Sequence, residues 1–447
     1  MGLFDRLRGG DGPRVAFFGI DGVPYSLVAD NPDTFETLNA IEAAGAGGAI
    51  DSIVPPESSA CWPALTTGVN PGETGVYGFQ DREVDSYDTY VPMGRDVRAT
   101  RLWDRVDDAG REATVMNVPV TFPPDREVQR MVSGFLSPGV EEAAYPDDLR
   151  ETLEDLEYRI DVNAKLGHDD DKSEFIEDAH ETLDARFEAF KRHIQRDDWD
   201  LFFGVFMTTD RVNHFLFEHY TRNGEYREEF LEFYAKVDHY LGELRDMLDE
   251  ETTMIVASDH GFTTLEHEVK CNVWLERNGW LSYEGDDHDS LGDIGADTRA
   301  YSLIPGRFYV NLEGREPRGA VPQEEYEAVR EELKADLEAM EGPDGRPVAD
   351  RVVTKEAAFR GDHDDIAPDL VVVPNHGFDL KSGFKGGDDV FATGPRNGMH
   401  SFDDACLFVD DEGTRVGDAD LYDIAPTVLD LLELEVDRTA FDGASLA

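Results

Sequence analysis

Apolar positions along the chain fall into two kinds of run. Short dense blocks of β-branched and aromatic residues stop abruptly at polar or acidic residues: Val15 to Ile20 before Asp21-Gly22, Leu201 to Met207 before Thr208-Thr209-Asp210, and Met254 to Ala257 before Ser258-Asp259-His260-Gly261. Ala113 to Val120, Leu370 to Val373 and Cys406 to Val409 are further blocks of this kind. Such blocks predict buried parallel strands that deliver functional groups at their carboxyl ends. Between them the apolar spacing turns helical. Ile176, Leu183, Phe187, Phe190 and Ile194 share one face; Tyr326, Val329, Leu333, Leu337 and Met340 share a second; Leu421, Ile424, Val428, Leu431 and Leu432 share a third. Each stripe predicts a helix with a core-facing surface. The whole reads as α/β, and in open α/β sheets the site lies outside the carboxyl ends of the strands, so three strands ending in acids point to one place.

The length of 447 residues allows two to three domains at ~150 residues each, or one enlarged α/β domain with insertions. The segment 80–197 has the length and helix content of a helical insertion, and 264–390 reads as a second insertion or cap. Glu284 to Asp297 is acidic and contains glycine, which predicts a surface loop. The chain carries no internal repeat.

Charge narrows the partners. Asp and Glu number 97 against 41 Lys and Arg, a formal net charge of −56. A field of that sign opposes a polyanion, which excludes binding a nucleic acid duplex through bulk charge. Disorder is excluded as well, because 40% of the residues are hydrophobic and they are clustered. The acids are spread over the whole chain. Their self-repulsion would largely vanish at molar salt, where the Debye length is ~3 Å, so a salt-adapted (halophilic) cytoplasmic protein is expected. Three widely spaced cysteines, Cys61, Cys271 and Cys406, argue against a disulfide framework and for a reducing compartment. The start, Met1-Gly2-Leu3-Phe4-Asp5-Arg6, is charged too early for a signal peptide, and Arg6 stands where a myristoylation motif wants Ser or Thr. No apolar stretch approaches the ~18 residues of a transmembrane span.

The candidate chemistry sits at the ends of the blocks. In Asp210-Arg-Val-Asn-His214 a carboxylate and an imidazole at i and i+4 share one helical face and can meet one ion. Taken alone, a helix-start Asp followed by a buried His is the more frequent reading. Asp259 and His260 are adjacent and can both ligate if the chain turns sharply, which Gly261 permits. Asp21 and His400, the latter in Gly398-Met399-His400-Ser401, complete the set; each alone reads equally as a cap, a turn or a satisfied histidine. Together they supply three carboxylates and three imidazoles, enough for two divalent ions, zinc or manganese, with positions left open for substrate. Two ions ~3.5–4 Å apart clamp the attacking and leaving oxygens of an in-line phosphoryl displacement. A nucleophile is available in the segment Pro55 to Gly72, where Ser58 and Ser59 precede a predicted helix and a Gly-Val-Asn-Pro-Gly turn.

This segment resembles the nucleophile segment of the alkaline phosphatase superfamily, in particular its type I phosphodiesterase/nucleotide pyrophosphatase branch and the predicted phosphohydrolase/phosphomutase relatives. In those families the nucleophile lies ten residues before the Gly of a Leu-x-Thr-Gly element, and ten before Gly68 is Ser58, with Ser59 the fallback. The resemblance runs in order through Asp21, Ser58, Asp210 and His214, Asp259 and His260, and His400. The segments Asn272 to Gly279, Tyr309 to Glu316 and Asp423 to Leu432 are also similar to this group. It implies one alkaline-phosphatase-like catalytic domain over 1–447, a three-layer α/β/α sandwich with a mostly parallel central sheet and inserted cap segments. It further implies that Asp21, Asp259, His260 and Ser58 hold one ion and Asp210, His214 and His400 the other, with Ser58 attacking phosphorus.

Several departures bear on substrate. Ser58-Ser59-Ala60-Cys61-Trp62 lacks the Pro and Arg of a sulfatase segment, which disfavours sulfate esters. Phe79, beside Gln80, stands where nucleotide pyrophosphatases carry Asn, and Thr74 stands where relatives often have His. The segment Pro56 to Ala60 does not match the cofactor-independent phosphoglycerate mutases. The expected activity is cleavage of a phosphodiester or pyrophosphate bond in a small phosphate ester. A phosphomonoesterase, phosphotransferase or phosphomutase acting on a glycan or lipid precursor is the alternative. A binding protein with a degenerate site is disfavoured because all six ligands and the hydroxyl are present. Arg396 and Asn397 could meet a phosphate oxygen or occupy a surface turn; His363 and His376 are left outside the metal set.

Overall fold

The computed structural model describes residues 12–83, 85–196, 198–285, 288–384 and 389–447. The N-terminal segment read for targeting signals lies outside the described residues, as do residues 286 and 287 of the acidic loop. At the centre is an eight-stranded sheet. Its strands lie in the order Ala46–Ile50, Ala405–Val409, Thr252–Ala257, Arg14–Ile20, Leu201–Phe206, Ala113–Val118, Arg130–Ser133 and Ala144–Tyr145. The five from Thr252–Ala257 to Arg130–Ser133 run parallel, while Ala405–Val409 pairs antiparallel with both neighbours and Ala144–Tyr145 closes the far edge antiparallel.

The central strands are apolar throughout because both faces are covered. Ala16, Phe18, Ile20, Phe202 and Val256 point into one core with Leu183 and Phe190 of helix Ser173–Ile194 and Leu241 of helix Arg227–Asp246. Val15, Phe17, Phe203 and Ile255 point into the other, with Trp62 of helix Ser58–Thr67 and Val428 of helix Ile424–Leu431. Alternate residues of one strand therefore feed two helical layers, which gives the α/β/α sandwich. Among the described residues no helix is long and apolar enough to cross a membrane.

Three features depart from the linear pattern. The segment 80–197 contributes Ala113–Val118, Arg130–Ser133 and Ala144–Tyr145 to the main sheet, so it is woven into the sandwich rather than set on it as a helical insertion. The block at Leu370–Pro374 belongs to a second, four-stranded antiparallel sheet with Ala300–Leu303, Arg307–Val310 and Ala349–Thr354. That sheet and helix Tyr326–Glu338 form a core of their own within 264–390. Finally, Gly261 serves close approach rather than left-handed backbone, since a Cβ there would fall 2.0 Å from the Asp403 carbonyl oxygen. This packing lays Gly261–Thr264 against Gly398–Ser401 and pairs Phe262 with His400, which carries His400 to the sheet's carboxyl end.

Candidate active site

Three adjacent parallel strands deliver the polar residues as the linear pattern predicts. Asp21 follows Arg14–Ile20, Asp259 and His260 follow Thr252–Ala257, and Asp210 stands in the first turn of helix Thr208–Thr221 after Leu201–Phe206. Asp21, Asp259 and His260 are completely buried. Ser58 begins the ten-residue helix Ser58–Thr67, with its Oγ 3.4 Å from Asp21 Oδ1 and 3.1 Å from His260 Nε2. His260 Nε2 lies 3.7 Å from Asp21 Oδ1 and 3.5 Å from Asp259 Oδ2. The opening amides of that helix present a partial positive charge beside Ser58, which favours an anion there.

The second group adjoins the first. His400 Nε2 is 3.2 Å from Asp210 Oδ1 and 3.1 Å from His214 Nε2, and His214 Nε2 is 3.4 Å from Asp210 Oδ1. The rings of His260 and His400 stack with centroids 3.9 Å apart, so all seven residues picked from the sequence share one locus. Buried hydrogen bonds tie the loops together. Thr209 Oγ1 donates to the Asp21 carbonyl at 2.6 Å, Asn213 Nδ2 to the Gly22 carbonyl at 2.7 Å, and Ser52 Oγ to the Asp259 carbonyl at 2.7 Å.

The donor set suits divalent ions. Each of the three histidines directs Nδ1 at a backbone carbonyl, His260 at Gly261, His214 at Gly398 and His400 at Pro56. A carbonyl only accepts, so each Nδ1 carries a hydrogen and each Nε2 faces the site; neutral His214 and His260 offer a lone pair there, as a metal-ligating histidine requires, while His400, raised against burial by its contact with Asp210, would give up its Nε2 proton to an ion. Asp259 Oδ2 and Asp210 Oδ1 are buried without a hydrogen-bond partner. Two clusters have ligand atoms within 4.8 Å of one another: Asp21, Asp259 and His260, and Asp210, His260 and His400. Burial, then the neighbouring carboxylates of Asp259 and Asp210, pushes the Asp21 carboxyl well above its usual range. Burial first and Asp210 next hold Asp259 up at about 7, against the pull of His400. Asp210 behaves oppositely: burial opposes its ionisation, yet His214, His400 and Arg211 together keep it far below the usual carboxylate range. Burial lowers His260 strongly and His214 to about 3, keeping both imidazoles neutral.

The chain matches the family model for type I phosphodiesterase/nucleotide pyrophosphatase over residues 15–403. It belongs to that family. Its members are metallo-phosphoesterases, and the chain is a phosphoric ester hydrolase of this class. No match was found among curated proteins. Among solved structures, phosphonoacetate hydrolase from Sinorhizobium meliloti 1021 in complex with phosphonoacetate is similar in fold, with 17% identity, a TM-score of 0.62, and coverage of 94% of this chain and 96% of that one. Murine ectonucleotide pyrophosphatase/phosphodiesterase 5 in complex with AMP shares 15% identity with a TM-score of 0.58, covering 97% of each chain. The human form shares 12% at 0.56, covering 96% of this chain and 97% of that one.

In this member of the family the site opens into a cavity of about 200 Å³. Phe79, Phe135, Met207, Ile304 and Leu380 give it apolar walls, and Glu57, Arg211, Asp379, Lys381 and Arg396 line it with charge. Sequence reasoning passed over several of the residues that matter here. Trp62 Nε1 donates to Asp21 Oδ2 at 2.7 Å. Arg211 bonds Asp210 Oδ2 at 3.2 Å, is gripped by Asp161 at 3.0 and 3.1 Å, and lies 4.4 Å over the Phe135 ring. The available signal was an arginine inside the Asp-x-x-x-His motif itself. Arg396 lines the cavity with its guanidinium bound to Glu268 and Asp379, and Asn397 Oδ1 accepts from the Glu218 amide. His376 pairs with Asp403 at the surface, 3.1 Å away, apart from the residues that could hold an ion.

Proposed function

We propose that this protein is a binuclear-metal phosphohydrolase that cleaves phosphodiester or pyrophosphate bonds of a small molecule with Ser58 as nucleophile. The observation that carries the reading is the placing of Ser58 Oγ, buried at a helix start within 3.4 Å of Asp21 Oδ1 and 3.1 Å of His260 Nε2. Asp21, Asp259, His260 and Ser58 are the residues to hold one ion, and Asp210, His214 and His400 the other. Zinc or manganese so bound lowers the pKa of a coordinated hydroxyl and stabilises charge on non-bridging phosphoryl oxygens. Ser58 Oγ attacks phosphorus, the bond from phosphorus to the leaving oxygen breaks, and the product alcohol or phosphate departs. Water then hydrolyses the phosphoserine and restores Ser58. The histidines, anchored through Nδ1, keep their orientation throughout, and the apolar walls limit water around the reacting atoms.

The test is a hydrolysis panel of p-nitrophenyl phosphate, bis-p-nitrophenyl phosphate and a dinucleotide, run with Mn and Zn in molar salt. Diester or dinucleotide turnover exceeding the monoester supports the reading. Monoester preference moves the protein to the phosphomonoesterase alternative, and fewer than about one bound ion per chain counts against the metal-dependent mechanism. Molar salt belongs in the assay because the −56 charge is spread along the chain and is most fully screened there, where the Debye length is ~3 Å.

A further inference from the structure

We propose that Glu57 makes this site select phosphodiesters with an ester arm carrying a hydrogen-bond donor, a hydroxyl or a protonated amine, and disfavour arms bearing further negative charge. The inference rests on the phosphohydrolase reading and narrows it from pyrophosphates towards diesters of polyols or amino alcohols.

The cavity's charges are unequally satisfied. Lys381 Nζ is 2.7 Å from Asp379, and Arg396 is held by Asp379 and Glu268. Arg211 is held by Asp161 and Asp210. Arg307, behind Glu57, gives its donors to Asp81 and to the Gln80 and Ile304 carbonyls. The cations near the site are therefore already neutralised by partners. Glu57 is the reverse case. It immediately precedes Ser58 and lines the same cavity, yet no protein donor reaches its carboxylate, whose Oε2 is shielded from water while the residue itself stays partly open. It is also the residue before the first turn of helix Ser58–Thr67 and does not cap that helix with its side chain.

A buried carboxylate oxygen without a donor is costly, and a ligand that brings one recovers that cost on binding. Burial already holds the Glu57 carboxyl above its usual range, against His400 and Arg307, and an arm with a second phosphate or a carboxylate would set a further negative charge beside it, in a cavity of about 200 Å³ that leaves little room to avoid it. A site built to satisfy a buried polar group rejects an isosteric ligand lacking the complementary group far more strongly than an apolar wall rejects a missing methylene.

The experiment uses the metal-loaded full chain and four p-nitrophenyl phosphodiesters whose second arm is ethyl, 2-hydroxyethyl, 2-aminoethyl or carboxymethyl. The wild type is expected to favour the hydroxyethyl and aminoethyl arms over ethyl by about ten- to a hundredfold in kcat/KM, with carboxymethyl lowest. E57L should erase that order. E57Q, which keeps the size of the side chain, should cut the aminoethyl-to-ethyl ratio at least about threefold and relieve the penalty on carboxymethyl. Equal turnover of all four arms by the wild type, or an unchanged ratio in E57Q, overturns the inference and leaves the phosphohydrolase reading standing. Turnover of none of the four overturns that reading and the inference with it.

Discussion

The two halves of the site are built by different means. Asp21, Asp259 and His260 stand at the ends of two neighbouring parallel strands and are wholly buried, with Ser58 brought over them by a helix buried along its whole length. Asp210 and His214 come from one helix, and His400 comes from a short two-stranded ribbon, with a side chain about a fifth exposed. Their electrostatics differ in step. In the first half burial and the neighbouring carboxylates outweigh Arg211 and His400, and both acids are pushed up, Asp259 to about 7. In the second, Asp210 stays ionised beside Arg211 and His400, the latter raised by that same contact. One half is rigid and short of positive charge; the other is already charge-compensated and partly open. The first should therefore bind its ion tightly and permanently, and the second should be the adjustable side that faces substrate.

Several measurements would break or sharpen this contrast, beginning with the largest effect. Ser58→Ala should lower turnover by at least about a thousandfold while leaving metal content nearly intact, because the other six ligands remain; unchanged turnover would transfer the role to Ser59. Asp259→Asn should remove the first ion and most activity together, whereas His400→Ala should lose only the second ion, as metal analysis of the two proteins would reveal. Equal losses in both would erase the asymmetry. Asp161→Asn frees Arg211 from its clamp and should weaken metal binding in the second half by about ten- to a hundredfold, read by competition with a chelator, without altering the first. The smallest effect is in pH. Asp259 ionises near 7 in the metal-free fold against 3.8 when unfolded, so the folded chain keeps a proton that the unfolded chain releases. His214 and His260, neutral in the fold, tilt stability the other way over the same range, so the Asp259 share is read against Asp259→Asn: relative to that variant, metal-free wild type should lose stability as pH rises from about 4 to about 7, by about one to a few degrees in Tm, and the metal-loaded pair should lack that difference.

Much of this site was legible from the chain because the three strand-terminal acids end unbroken apolar blocks, and a block buried on both faces has few other readings. His400 was a candidate from its residues alone, but its place beside the sheet was not legible, since nothing local marks the close approach at Gly261 that pairs Phe262 with it. The residues that orient the ligands were not legible. Trp62 reaches Asp21 across 41 residues and Arg211 reaches Asp161 across 50, and neither contact leaves a periodic trace. The fold shows the same division. Arg130–Ser133 and Ala144–Tyr145 are too short to register as apolar blocks, so 80–197 looked more helical than it is. Leu370–Pro374 has the composition of a central strand because its own sheet is also buried, and composition reports burial without naming the sheet.

Gly19 has a further consequence. Its missing side chain leaves the space taken by the Trp62 indole, since a Cβ there would lie 2.3 Å from that ring. Of the five tryptophans, Trp62 is the one whose ring nitrogen bonds a candidate ligand. Its excited state therefore senses the charge on Asp21 directly, from a site shielded from water. The protein carries its own optical gauge of first-half occupancy. Changes in Trp62 emission should follow metal loading in concentrated salt without any label, and Trp62→Phe, which keeps an aromatic ring in that space, supplies the blank.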